Sequence, residues 1–200
     1  MRVTLYPVPA GTPAVGHAVG YVSGSPISNL AGSPPPAGPL LSYESRQALI
    51  DGQPVDHAEI AEALHLEIER VAKRVFGPDF VGPLSLASGL NVRSLARGRL
   101  ISHGLPAPLL DMLGRAAATP HPRATGYMLQ AVAYLWDEHV NSHGMGEPGQ
   151  GPGPLSAQGR EALGQRCEEI LDRALGMVAA MQGEAAAARA RTAVLKATLR

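Results

Sequence analysis

Apolar residues recur at spacings of three and four along much of the chain, a period that predicts helices. It is clearest over residues 56–77, where Ile60, Leu64, Ile68, Val71 and Val75 form one stripe. Asp56 is placed to cap that helix, because its carboxylate can accept from the orphan amides of the first turn. Glu59 and Glu62 near the start and Lys73 and Arg74 near the end suit the helix dipole. Gly77-Pro78 stops the helix.

Shorter pieces flank it. YESRQALI (43–50) reads as a short helix halted by Asp51-Gly52. GPLSLASG and NVRSLARGRLI are two helical pieces that meet near Gly89. APLLDMLGRAAA comes after Pro106, and HPRATGYMLQAVAYLWDEHV carries Ala124, Met128, Ala131 and Leu135 on one face. After Ser156 the chain reads as one long helix, with Leu163, Cys167, Ile170, Ala174, Met177 and Met181 at heptad-like spacing. Gly164, Gly176 and Gly183 each cost that helix about 1 kcal/mol against alanine, so it is expected to pack on something.

Two stretches lack the helical period. Residues 1–42 are rich in Gly, Pro and Ser and read as an irregular arm, although VTLYPV could form a short strand. Residues 142–154 are a linker by composition. The expected fold is therefore all-α. A small helical bundle over 43–141 would carry the irregular Gly/Pro-rich N-terminal arm, the linker, and a long C-terminal helix over 155–200.

Composition adjusts this picture in two ways. The chain is 45% hydrophobic but only 4% aromatic, so its core is built mainly from Ala, Leu and Val. Burial contributes ~25 cal/mol per Å² of apolar surface, which makes such a core thin and favours a homo-oligomer through residues 155–200. The single cysteine, Cys167, cannot form an internal disulfide. No apolar run approaches the ~18 residues of a membrane span. These features predict a soluble, cytoplasmic protein.

Net charge is zero, yet the charges are unevenly spread. No acid occurs between Asp79 and Asp111, while Arg93, Arg97 and Arg99 fall inside that interval. They lie in LSLASGLNVRSLARGR (84–99). Ser85 and Ala87 are small enough for close helix approach, Gly89 can make a positive-φ turn, Leu90 can plug the angle, and Asn91 can cap the second helical piece. Leu95 would point inward. Arg93 and Arg97, four apart, would share the outer face with Ser94 and Arg99.

This stretch resembles the helix-turn-helix of phage-repressor-like (Cro/C1-type, Xre) DNA-binding proteins. Leu84-Ser85, Gly89-Leu90-Asn91 and Arg93-Ser94-Leu95 carry the resemblance, and GLPAPLLDML looks like the family's next helix. Ser88 stands where the family usually has an apolar residue, and Gly98 where it often has a bulky one. The resemblance implies a transcriptional regulator that binds double-stranded DNA. Arg93, Ser94 and Arg97 would then meet the major groove, with Asn91, Arg99 and His103 near the backbone and the last helix making a dimer. An ordinary solvated helix face would carry the same arginines. The alternative is a helical interaction or scaffold protein that self-associates through its C-terminal helix.

Other chemistry is sparse. His139 and His143 have the i, i+4 spacing of a metal pair, near Asp137 and Glu138. They sit where a helix ends, and histidine there also complements the dipole. His57 and His65 read as surface residues beside Glu62 and Glu69. Cys167 adjoins Glu168 and Glu169, which disfavour a thiolate. No glycine-rich loop succeeds a strand, so no dinucleotide site is indicated. No enzyme, cofactor or metal site is expected.

Overall fold

The computed structural model describes residues 1–23, 38–142 and 157–198. It corrects the all-α expectation: the fold is α+β. The N-terminal region holds five strands in an antiparallel sheet of order β1-β2-β3-β4-β5. These are β1 (Arg2–Leu5), β2 (His17–Ser23), β3 (Leu40–Glu44), β4 (Gln47–Ile50) and β5 (Gln53–Val55). The arm read as irregular thus supplies two strands and the start of a third.

The segment read as a short helix, 43–50, is the end of β3, a tight turn and the whole of β4. Glu44 pairs with Gln47 across a two-residue loop in which Ser45 takes a φ of 57°. The supposed helix stop, Asp51-Gly52, is a second hairpin loop, with Ile50 paired to Gln53. Its two residues have φ of 48° and 78°, the left-handed pair of a type I′ turn that Asp-Gly supplies at low cost. The Asp51 carboxylate also accepts from the Leu40 amide at 2.7 Å, tying the turn to β3.

Two helices cover one side of this sheet. The first, α1 (His57–Phe76), packs on β1, and α4 (Ala107–Ala118) packs on β2 and β1. Asp56 caps α1 by accepting from Ala58 N. The stripe Ile60, Leu64, Ile68, Val71 and Val75 is fully buried against Val3, Leu5, Val19 and Leu41 of the strands and Leu110 and Leu113 of α4. Each such side chain contributes ~1.5–3 kcal/mol relative to exposure. Between α1 and α4 run α2 (Val81–Ser88), a 3₁₀ turn (Val92–Leu95) and α3 (Arg97–His103), the last packed on α1.

One contact joins sheet and helix through polar chemistry. Glu67 is 4% exposed, and its carboxylate accepts from the Leu5 amide of β1 at 2.9 Å. Arg70 completes the arrangement, donating to the same carboxylate at 2.6 and 2.8 Å. That hydrogen bonding raises the Arg70 pKa above its ordinary value, against the opposing effect of burial. His65, expected at the surface, is buried as well.

The chain divides into two compact units, Met1–Tyr134 and Leu135–Arg200. Helix α5 (Pro122–Ser142) crosses that division. In the first unit it lies so close to α1 that a Cβ at Gly126 would collide with the Val75 carbonyl. The second unit contains α6 (Ala157–Thr198), a single 42-residue helix. Within that unit Arg166 reaches Glu138 at 3.6 Å and Leu163 is buried, whereas Ile170, Leu175, Met177 and Met181 are exposed. Among the described residues, no helix is long and apolar enough to cross a membrane.

Candidate nucleic-acid interface

The arginine-bearing corner begins where α2 ends. Gly89 has φ 68° and ψ 5°, a left-handed conformation that ends the helix and turns the chain. Two serines hold the turn. Ser85 Oγ donates to the Leu90 carbonyl at 2.6 Å, and Ser88 Oγ donates to the Leu84 carbonyl at 2.6 Å. Ser88 thus fastens the end of α2 instead of filling space. Leu90 packs, partly buried, against the core. Asn91 accepts from Arg93 N at 2.9 Å and so caps the 3₁₀ turn.

The second segment is not one helix. Ala96 is extended, with φ −65° and ψ 140°, and separates the 3₁₀ turn from α3. The break comes two residues before Gly98, which lies inside α3. Arg93 and Arg97 therefore do not share a helical face, because the residue between their turns abandons helical geometry. Leu84, Leu95 and Leu100 all point inward and anchor the corner on the core. Everything else from Asn91 to Arg99 is exposed.

The arginines separate into two environments. Arg97 donates to Glu62 of α1 at 3.0 Å, with side-chain exposures of 69% and 57%. An ion pair so open to water holds by only about 0–1 kcal/mol and can exchange partners. Arg93, Ser94 and Arg99 instead line one shallow cavity of about 300 Å³ together with His103 and Gly104. Among the described residues, neither Arg93 nor Arg99 has a carboxylate partner. Two uncompensated guanidinium groups thus flank a hydroxyl and an imidazole on a surface with no acid in its own segment. Asn91 lies at the margin, its side-chain oxygen committed to the cap.

Nothing matches this chain: no family model, no curated protein and no solved structure.

The electrostatic surroundings differ on the two sides of α3. Toward α1, the hydrogen bond from Lys73 holds the Glu69 carboxyl below its usual range, and His65 and Arg97 reinforce it. The cavity on the other side is lined by arginine, serine and histidine, with no carboxylate among the described residues. Such a surface can bind phosphate oxygens through charge and fork geometry, and arginine can also reach base edges.

Other expected residues fall elsewhere. His57 is half-buried, its Nε2 2.9 Å from the Ile101 carbonyl, so it ties α1 to α3. His143 and the side chain of His139 lie outside the described residues. Among the described residues no group of His, Cys, Asp and Glu could hold a metal ion. Cys167 is partly buried in α6. One grouping of residues escaped sequence reasoning, although His57 itself reads there as a surface residue. His17, Arg46 and His57 meet around a second cavity, though they come from a strand, a hairpin loop and a helix. No spacing along the chain links them.

Proposed function

We propose that this chain is a DNA-binding regulator that grips duplex DNA with the corner formed by α2, the 3₁₀ turn and α3. The observation that carries it is the exposed pair Arg93 and Arg99, free of carboxylate partners among the described residues and set with Ser94 and His103 around one cavity. Salt-bridged arginines would argue for a solvated surface, and of the three only Arg97 is of that kind. In this reading Arg93 and Ser94 approach the base edges and Arg99 and His103 the phosphates. Arg97 exchanges Glu62 for a phosphate on binding, and Asn91 keeps the turn in shape. Such a regulator would work in the cytoplasm on double-stranded DNA.

A mobility-shift assay on random genomic fragments at ~50 mM salt tests this directly. The full chain should retard the fragments, with affinity falling steeply as salt rises. Replacing Arg93 and Arg99 together by alanine should remove one base-edge contact and one phosphate contact, weakening binding and flattening the log–log salt slope by about 0.9. Unchanged affinity in that double variant, or no retardation by the wild type, rejects the assignment.

A second reading is favoured by α6, whose heptad positions Ile170, Met177 and Met181 are exposed. Apolar residues at such positions suit pairing with a second copy of the same helix. This yields either a dimeric regulator or, without DNA, a self-associating scaffold. Sedimentation of the full chain beside a chain ending before residue 155 separates monomer from oligomer. The mobility shift then separates regulator from scaffold.

A further inference from the structure

Between the β3–β4 hairpin, the start of α1 and the α3–α4 connection lies an open cavity of about 670 Å³. Arg46, His17, His57 and His103 stand in its lining with the hydroxyls of Ser45 and Ser102, and no carboxylate among the described residues lines it. Arginine brings a permanent charge and five donors in a fixed fork, and the His103 imidazole can add an N–H, whereas His57 Nε2 is engaged by the Ile101 carbonyl and His17 faces Asp111. Close behind is Asp111, which sits 3.6 Å from His17 and is shared with Arg115.

The amino end of α4 closes the same wall. Pro106 and Pro108 lack amide hydrogens, and Leu109 N–H bonds the Pro106 carbonyl at 2.9 Å. The Ala107 amide is left open at the positive end of a 12-residue helix with no side-chain cap. Tyr43 belongs to the wall too, and its buried hydroxyl has no hydrogen-bond partner among the described residues. Leu105 and the two proline rings make the remaining surface apolar. A charged acceptor at one end and a small organic body at the other would use both kinds of lining.

We infer that this cavity binds a small phosphate monoester, its phosphoryl group held by Arg46, the His103 imidazole and the open amide of α4. The volume admits a metabolite-sized molecule and not a duplex. His103 and Gly104 line both this cavity and the one that carries Arg93 and Arg99. An occupant would thus press on the segment that ends α3. Binding itself is independent of the DNA reading; only a regulatory effect on DNA rests on it.

Calorimetric titration of the full chain without DNA tests the site, with inorganic phosphate and glycerol phosphate as probes and ionic strength held constant with sodium chloride. Saturable one-to-one binding is expected. Arg46→Ala should weaken it at least tenfold. Arg46→Lys, which keeps the charge but loses the fork, should fall between. Arg93→Ala with Arg99→Ala should leave it unchanged, so a failed DNA assignment would not disturb the result. Two outcomes overturn the inference. One is a response that never saturates or is the same in Arg46→Ala. The other is that Arg46→Ala weakens only duplex binding, which would make the cavity a seat for the DNA backbone.

Discussion

Replacing Glu67 by alanine withdraws an acceptor from two places at once. The Leu5 amide, 2.9 Å from the carboxylate, would be left buried and unpaired. An orphaned buried donor costs about 1–3 kcal/mol. Arg70 would lose both of its bonds, at 2.6 and 2.8 Å, but its side chain is 35% exposed and water can take over. That loss adds only about 0–1 kcal/mol. Together they give about 3 kcal/mol, a large share of the roughly 5–15 kcal/mol that typically holds a domain. For a chain of this size the melting point should drop by roughly 6–12 °C. Glu67→Gln keeps an oxygen for Leu5 N–H and should lose about half as much. The assay can be made specific, because all five tyrosines fall in the unit ending at Tyr134 and the one tryptophan, Trp136, in the other. Near-ultraviolet dichroism of tyrosine should therefore shift to lower urea, while tryptophan emission changes less. If Glu67→Ala and Glu67→Gln both unfold within about 0.5 kcal/mol of the wild type, the carboxylate is not what joins helix to strand.

Single side chains elsewhere make further outcomes measurable. Burial pushes the Tyr43 hydroxyl up to about 12, from 10.0. The unfolded chain therefore releases this proton first, so stability present below pH 10 is lost as pH rises toward 12. By linkage the loss is on the order of 3 kcal/mol. Tyr43→Phe should be at least as stable at neutral pH, since the hydroxyl it deletes has no partner among the described residues, and urea melts across alkaline pH should show the decline reduced. Gly98→Ala should stabilise the chain by about 0.5–1 kcal/mol, because the added methyl meets nothing within 4 Å inside α3. Gly89→Ala meets nothing either, yet should destabilise by about 1–2 kcal/mol through its positive φ alone. Equal thermal shifts for the two glycine variants would contradict the left-handed turn.

The legible part of the fold was its periodic part. The stripe on α1 spans 16 positions, from Ile60 to Val75, and its cap and stop are local, so residues near in sequence carry the signal. The strands are three to seven residues long and their pairing is not local in that sense. Leu40, Leu41, Tyr43, Ala48 and Leu49 are all buried, so the simple in–out alternation of a strand is blurred. Gly20 lies inside β2, where a Cβ would strike the Thr4 carbonyl, and a glycine there weakens a strand by propensity while the close pairing requires it. Asp51-Gly52 did carry information. Between two short β-prone stretches it marks a hairpin, and it is mistaken for a helix stop when YESRQALI is read as a helix. At the candidate interface the turn glycine, the cap and the inward leucines were local and readable. The break at Ala96 was not, because alanine is the best helix former and only the packing of Leu95 and Leu100 on the core makes the chain abandon the helix there.

The sheet never closes on itself, and both outer strands could in principle recruit a stranger's backbone. Pro54 disarms one border, since it brings no N–H to offer. On the other border the Leu5 N–H is already claimed by a carboxylate from α1. Glu67 is thus a guard as well as a fastener. Because β1 is itself buried against α1, a chain deprived of Glu67 would offer that template only once helix and strand part, and its failure would show as concentration-dependent precipitation when unfolding begins.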